Sequence, residues 1–170
     1  MQNQGFIKLG MVALLSVTMV ACQSTEEAAT EAAPVANTAT PSAANTGDGL
    51  TAEQRAARDR ALAKTKFYFE FDKSDLSQED RDALVYHAAQ LKANPNMHIR
   101  LEGHADERGT REYNLALGER RSKSVSSYLQ VQGVAASQME NISYGEERPA
   151  DPGKTEAAYS KNRRVEMIKK

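Results

Sequence analysis

Hydrophobic and polar positions change their spacing several times along this chain, and each change marks an element. From Lys66 to Phe71 they alternate. Phe67, Phe69 and Phe71 point one way and Tyr68 and Glu70 the other, the period-two pattern of a half-buried strand. Asp72-Lys73-Ser74-Asp75 follows as a turn. Ser77 with Asp80 forms a capping-box pattern that opens a helix to about Ala93. Leu84, Ala88 and Leu91 are its buried stripe, and Asn94-Pro95 ends it. Alternation returns with Met97, Ile99 and Leu101 set against His98, Arg100 and Glu102. Gly103 and Gly109 bracket a polar turn, and from Thr110 to a capping glycine at Gly133 the period is helical. Ile142 and Tyr144 mark a third strand, Gly145 to Pro149 a loop, and Thr155 to Ser160 one helical turn. Arg163 to Lys169 is the last strand, with Val165 and Met167 on one face. This order, β-α-β-α-β-β with single-sided alternation, predicts an α/β two-layer sandwich: one mixed sheet of about four strands faced by two main helices.

The core so defined, residues 66–170, is large enough to fold alone. Residues 51–65 ahead of it are rich in Ala, Arg and Glu and lack Gly and Pro. They predict a short helix with Thr51 as cap, Glu53 in the first turn and a thin apolar face. Residues 22–50 change character again. After Cys22 they are dominated by Ala, Thr, Ser, Glu, Asn and Pro, with no Lys, Arg or aromatic side chain, and cannot bury enough apolar surface to order themselves. A flexible tether of this length averages roughly 30 Å end to end and stretches to about 100 Å. In residues 1–21, Lys8 precedes an apolar run from Leu9 to Ala21, the layout of a secretory signal with a core short for a membrane span. An uncleaved anchor helix is the rival reading. A net charge of −1 gives no global attraction to nucleic acid or anionic membrane. The single cysteine, Cys22, excludes an internal disulfide framework and any multi-cysteine metal site.

Candidate chemistry gathers around the second strand and the long helix. Leu117, Val125, Tyr128 and Leu129 share one arc of that helix, with Asn114 and Arg121 in its middle, where a packing helix normally carries aliphatic side chains. A guanidinium facing the interior needs a partner. Asp106, on the loop between strand and helix, is the nearest in sequence. Asp106 and Arg121 are therefore expected to line a small polar pocket for a ligand carrying both charges. On the residues alone, a plain cap at Asp106 and a structural salt bridge to Arg121 remain open. Arg108 suits either a ligand carboxylate or a solvated loop position, and Asp72 either a ligand contact or a turn. Asn162-Arg163-Arg164 is one basic cluster without a basic face, weak for nucleic acid, and Arg163 is expected to brace the fold near the pocket. His98 and His104 share strand parity, but no further ligands follow at metal-site spacing. The adjacent pair Glu146-Glu147 does not define the opposed acid and base of a glycosidase.

Several of these stretches, in their order and spacing, resemble one known family. They are Phe69 to Asp72, Leu101 to Thr110, Tyr113 to Arg121, Ser143 to Pro149 and Lys161 to Glu166. Together they resemble the OmpA-like peptidoglycan-binding domain, in the form carried by peptidoglycan-associated lipoproteins. Met19-Val20-Ala21-Cys22 is similar to the lipobox of bacterial lipoproteins, although that pattern prefers Leu where Met19 stands. The resemblance implies an OmpA-like fold, lipidation of Cys22 and a non-enzymatic module in the periplasm, anchored in the outer membrane. Gln23 fits that sorting, since in the family an Asp there tends to retain lipoproteins at the inner membrane. It implies binding to the diaminopimelate of the peptidoglycan stem peptide through Asp72, Asp106, Arg108, Asn114, Leu117 and Arg121, with no cofactor. It also implies work with the Tol system, TolB among its partners, in envelope integrity and cell division. Arg111 stands where the family often has Pro, implying a less rigid start to the long helix. The rival function is a cell-wall hydrolase using Asp106, Glu107 or Glu146-Glu147.

Overall fold

A computed structural model describes residues 49–170. The signal segment, the lipidation of Cys22 and nearly all of the tether expected from the sequence fall outside them. The elements are α1 (Ala52–Ala63), β1 (Lys66–Tyr68), α2 (Gln78–Ala93), β2 (Ile99–His104), α3 (Arg111–Val131), β3 (Met139–Gly145), α4 (Glu156–Asn162) and β4 (Arg164–Lys169). The strands form one mixed sheet in the order β1-β4-β2-β3. β4 runs antiparallel to both β1 and β2, and β3 runs parallel to β2. The α/β sandwich is as the alternation predicts, with a 3-10 turn at Ala136–Gln138 added before β3.

Local signals explain most boundaries. Thr51 caps α1 in a full capping box with Gln54, and no residue of that helix is buried, as its thin apolar face requires. Ser77 accepts from the Asp80 amide at the start of α2, and Asn94 ends it. Thr110 caps α3 by accepting from the Tyr113 amide. At the other end Gly133, at φ 92°, lets its own amide reach the Gln130 carbonyl and that of Val134 the Leu129 carbonyl, a Schellman stop. Phe67, Leu84, Leu91, Ile99, Leu101, Val125, Leu129 and Val165 form the centre of the core between sheet and helices.

Several boundaries differ from expectation, β3 running Met139–Gly145 and β4 beginning at Arg164 among them. The first strand does not run to Phe71. It ends at Tyr68, with one further amide, that of Phe69, donating to the Arg163 carbonyl at 2.9 Å. Beyond it Asp72 takes a left-handed φ of 57°, which turns the chain out of the sheet and leaves Phe71 54% exposed instead of in the core. β2 starts two residues late, at Ile99, and continues to His104. The last helix is Glu156–Asn162, longer than one turn, because Asn162 closes it by binding the Ala150 and Asp151 amides and the Asp151 carbonyl.

Two glycines decide how α3 meets the sheet. A β-carbon on Gly103 would stand 1.9 Å from the Gly118 carbonyl oxygen, and one on Gly118 would stand 2.4 Å from the Ser143 hydroxyl. Helix and strand backbones touch there, at the end of β2 where the polar turn begins. Gly103→Ala should cost about 3 kcal/mol, the upper end of the over-packing range, because the obstacle is backbone. Thermal denaturation followed by circular dichroism should show the melting temperature down by more than ~10 °C.

Candidate functional site

The close approach of α3 to β2 carries Arg121, one turn beyond Gly118, into the interior at 0% exposure. Its guanidinium does not pair with Asp106 directly, contrary to the simplest reading of the sequence. Nε donates to the Lys73 carbonyl at 2.9 Å, one terminal nitrogen to the His104 carbonyl at 2.8 Å and the other to the Glu70 carbonyl at 3.1 Å. Main-chain carbonyls are acceptors that no side-chain pattern reveals, which is why the sequence pointed to a carboxylate. Burial first, and the Arg163 charge second, lower the Arg121 pKa to about 10, leaving it protonated at neutral pH.

Asp106 is held instead by two other arginines. Its Oδ1 accepts from the Arg108 amide at 3.1 Å and Arg108 Nε at 3.2 Å, and its Oδ2 from Arg108 at 2.7 Å and Arg163 at 3.3 Å. Burial opposes the charge, but the hydrogen bonds from Arg108 and Arg163 outweigh it and keep the carboxyl below the usual carboxylate range. Arg108 is also stacked, its guanidinium carbon 4.1 Å from the Phe71 ring centre and 4.6 Å from that of Tyr159. Arg163 spans from the Phe69 carbonyl at 3.0 Å to Glu156 at 2.8 Å, so it braces the fold as expected and borders the site as well.

These groups enclose a cavity of about 200 Å³ lined by Phe71, Asp72, Asp106, Arg108, Gly109, Tyr113, Asn114, Leu117, Arg121 and Arg163. All six residues singled out from the sequence, Asp72, Asp106, Arg108, Asn114, Leu117 and Arg121, lie on that wall. Leu117 is its apolar floor, Asn114 donates from Nδ2 to Glu146, and Asp72 accepts from the Tyr113 hydroxyl. Sequence reasoning missed Phe71, because alternation assigned it to the core, and Tyr113, which carries no signal of its own. Arg111 pairs with Glu147 and, with the Asn114–Glu146 contact, ties the first turn of α3 to the β3–α4 loop.

The duller candidates are placed too. Glu107 accepts from the Tyr159 hydroxyl at 3.0 Å, Glu146 from Asn114 and Glu147 from Arg111, so each carboxylate of the hydrolase reading is engaged by a neighbour. Asn162, Arg163 and Arg164 are all buried. His98 is exposed at the sheet margin, whereas His104 is 2% exposed, stacked on Tyr144 with ring centres 5.6 Å apart. Among the described residues no three His, Cys, Asp or Glu side chains form a metal-binding group.

The sequence pattern of the OmpA family matches residues 68–163. The peptidoglycan-associated lipoprotein of Pseudomonas putida is 56% identical over 128 residues, which cover 74% of this chain and 74% of that protein. That of Legionella pneumophila is 35% identical along 99% of this chain and 97% of its own length. The crystal structure of the peptidoglycan-associated lipoprotein from Burkholderia pseudomallei superposes with a TM-score of 0.64 at 42% identity, over 65% of this chain and 93% of that one. The C-terminal domain of Helicobacter pylori MotB, at 24% identity and a TM-score of 0.57, shares the fold across 62% of this chain and 83% of its own.

Arg121→Lys should lower stability by about 3 kcal/mol or more, since one ammonium cannot reach three carbonyls set out for a planar fork. Denaturant unfolding measures that loss directly. His104 yields a separate prediction. Among the described residues neither ring nitrogen has a hydrogen-bond partner, and burial first, then the Arg164 charge, push its pKa from 6.5 down to about 4. The unfolded chain thus takes up a proton that the folded chain refuses. Its contribution to stability is complete above pH 6.5 and is lost as pH falls to about 4, a change of up to about 3 kcal/mol. In His104→Phe that part of the pH dependence should vanish, read as the difference between the two unfolding curves across this window.

Proposed function

The chain belongs to the OmpA family, among the peptidoglycan-associated lipoproteins, and on that premise we propose that it ties the outer membrane to the cell wall by gripping peptidoglycan without a covalent bond. In this reading Cys22 is the lipidated first residue of the mature protein after removal of residues 1–21. The lipid sits in the outer membrane, the tether leads inward from it, and the folded domain works in the periplasm. The Tol system, TolB in particular, is the partner set that the family brings, with roles in envelope integrity and division.

The ligand is the meso-diaminopimelate of the stem peptide, which ends in an ammonium and a carboxylate on one carbon. One observation carries this: six residues chosen from three separate stretches of sequence line a single small cavity holding charges of both signs. Arg121 uses one N–H of each nitrogen on backbone carbonyls, so two of its five remain for a ligand carboxylate. Asp106 supplies negative charge to the same wall and attracts the ammonium. Asp72, Arg108, Asn114 and Leu117 complete the surround. A zwitterion suits such a site better than a simple cation or anion, because either alone would face a like charge.

The test uses the full chain and purified sacculi. It should sediment with diaminopimelate-containing sacculi, be displaced by the free stem tripeptide, and release no soluble muropeptides. Sacculi with lysine at the same position lack the carboxylate, and retention on them should fall at least about tenfold. Equal retention on both would sink the diaminopimelate reading, and released muropeptides would favour the hydrolase.

A further inference from the structure

Asn114 stands in the first turn of α3 at 1% exposure, and its Nδ2 donates to the Glu146 carboxylate. A carboxylate only accepts, so the amide has a single orientation that satisfies this contact, with the NH2 group on Glu146. The carbonyl oxygen is then turned away from Glu146. Among the described residues nothing donates to Asn114 Oδ1. It lies 3.5 Å from the point where a β-carbon on Gly109 would stand, and Gly109, at φ 112°, borders the cavity. This oxygen is an acceptor that has no partner among those residues and is not sealed from solvent, and so is open to a donor that a ligand brings.

Asp106 sharpens the point. A carboxylate has about four acceptor positions. On Asp106 they are filled by the Arg108 amide, Arg108 Nε, the Arg108 terminal nitrogen and Arg163. An ammonium entering the cavity meets the negative field of Asp106 but no free lone pair on it. Its own N–H groups need another acceptor.

The fold delivers Glu146 to Asn114 by a tight contact. The Ser143 hydroxyl donates to the Leu115 carbonyl at 2.6 Å, and a β-carbon on Gly145 would stand 2.8 Å from the Leu115 amide nitrogen. The end of β3 is thus pressed against the first turn of α3, with the next side chain, Glu146, directed at Asn114.

Resting on the stem-peptide site proposed above, we propose that Glu146 is its positioning residue: it holds Asn114 by the NH2 group so that the Asn114 carbonyl oxygen accepts a hydrogen bond from the ligand's ammonium. Glu146 itself does not touch the ligand. The pair sets the polarity of the site at this position, an acceptor where a freely turning asparagine would accept a donor or an acceptor alike.

A charge-exchange experiment tests the polarity, with the dissociation constant of the full chain for the tripeptide L-Ala-γ-D-Glu-meso-diaminopimelate as readout. Asn114→Asp alone puts two carboxylates face to face and should weaken binding roughly tenfold to a hundredfold. Adding Glu146→Gln lets the new amide donate to one oxygen of the introduced carboxylate and leaves its other oxygen facing the ligand. The double variant should therefore return to within about threefold of the unmodified chain or bind tighter. A merely structural role for Glu146 gives no reason for that rescue. If the double variant stays as weak as Asn114→Asp while its melting curve remains cooperative, the acceptor role is wrong and the site itself stands. If the unmodified chain fails to bind the tripeptide, both the site and this inference fall. Should a variant not fold, the unmodified chain decides by NMR. Contacts from the Asn114 NH2 protons to the Glu146 side chain should persist at saturating tripeptide, and their replacement by contacts to the ligand overturns the proposal.

Discussion

A single buried cation holds the working end of this domain together. Arg121 brings its charge into the interior, at a desolvation cost large enough to lower its own pKa to about 10, and recovers that cost from three main-chain carbonyls. Those carbonyls belong to two different stretches. His104 ends β2, while Glu70 and Lys73 belong to the irregular segment after β1. Without the guanidinium the Lys73 carbonyl of that segment would lose its donor, and the Glu70 carbonyl would keep only the Lys73 amide at 3.2 Å. The positive φ of Asp72 lies inside the same turn, so the strain of a left-handed non-glycine residue is sustained by the clamp around it. The contact of Gly103 with Gly118 is a precondition, because only bare backbones let the helix sit low enough for Arg121 to reach His104.

How much of this was readable in the sequence depends on the kind of interaction. Caps and alternation are local, and they gave the helices, the sheet and most of the core. The central arc of α3 also announced itself, because Asn114 and Arg121 sit among aliphatic neighbours on one helical face. The partner of Arg121 was not readable. Asp106 was the nearest complementary charge along the chain, but main-chain carbonyls compete for guanidinium and leave no trace in residue type. Phe71 was misplaced for a related reason: alternation reports the intended face of a strand, and only the fold shows that β4, beginning at Arg164, offers no partner strand so far along. Tyr113 and Glu146 act on site residues through long-range contacts across 41 and 32 positions, distances over which no sequence pattern extends.

The charges around the cavity are arranged so that few of them are loose. Arg108 is spent on Asp106 and on two aromatic faces, Arg163 on Asp106, Glu156 and a carbonyl, and Asp72 on a tyrosine. Such a wall is pre-organised, so a ligand need not order it at the moment of binding. Pre-organisation carries a consequence for selectivity. Acceptors and donors already committed to the protein cannot adapt to a wrong ligand, and the few left open, on Arg121 and Asn114, define what fits. A small site built this way discriminates by unsatisfied polar atoms more than by shape.

Strand direction explains why all of these parts meet at one end. β1 and β2 are each antiparallel to β4 and so run the same way, and β3 runs parallel to β2. The C-terminal ends of three strands and the beginning of the fourth therefore fall together, supplying the turn with Asp72, the loop with Asp106, the loop with Glu146, and Arg163. Lys66, where the chain enters the sheet, is at the opposite end of β1. A pull between Lys66 and a ligand in the cavity thus acts along the strands, loading the β1–β4 hydrogen bonds together in shear instead of one after another. β1 is only three residues long and sits at the edge, which makes its ladder the weakest in the sheet. Its far end is secured by what lies beyond the ladder: Arg163 on the Phe69 carbonyl, and Arg121 on those of Glu70 and Lys73. The same arginines that shape the cavity are therefore the fastenings of the strand through which tension would reach it.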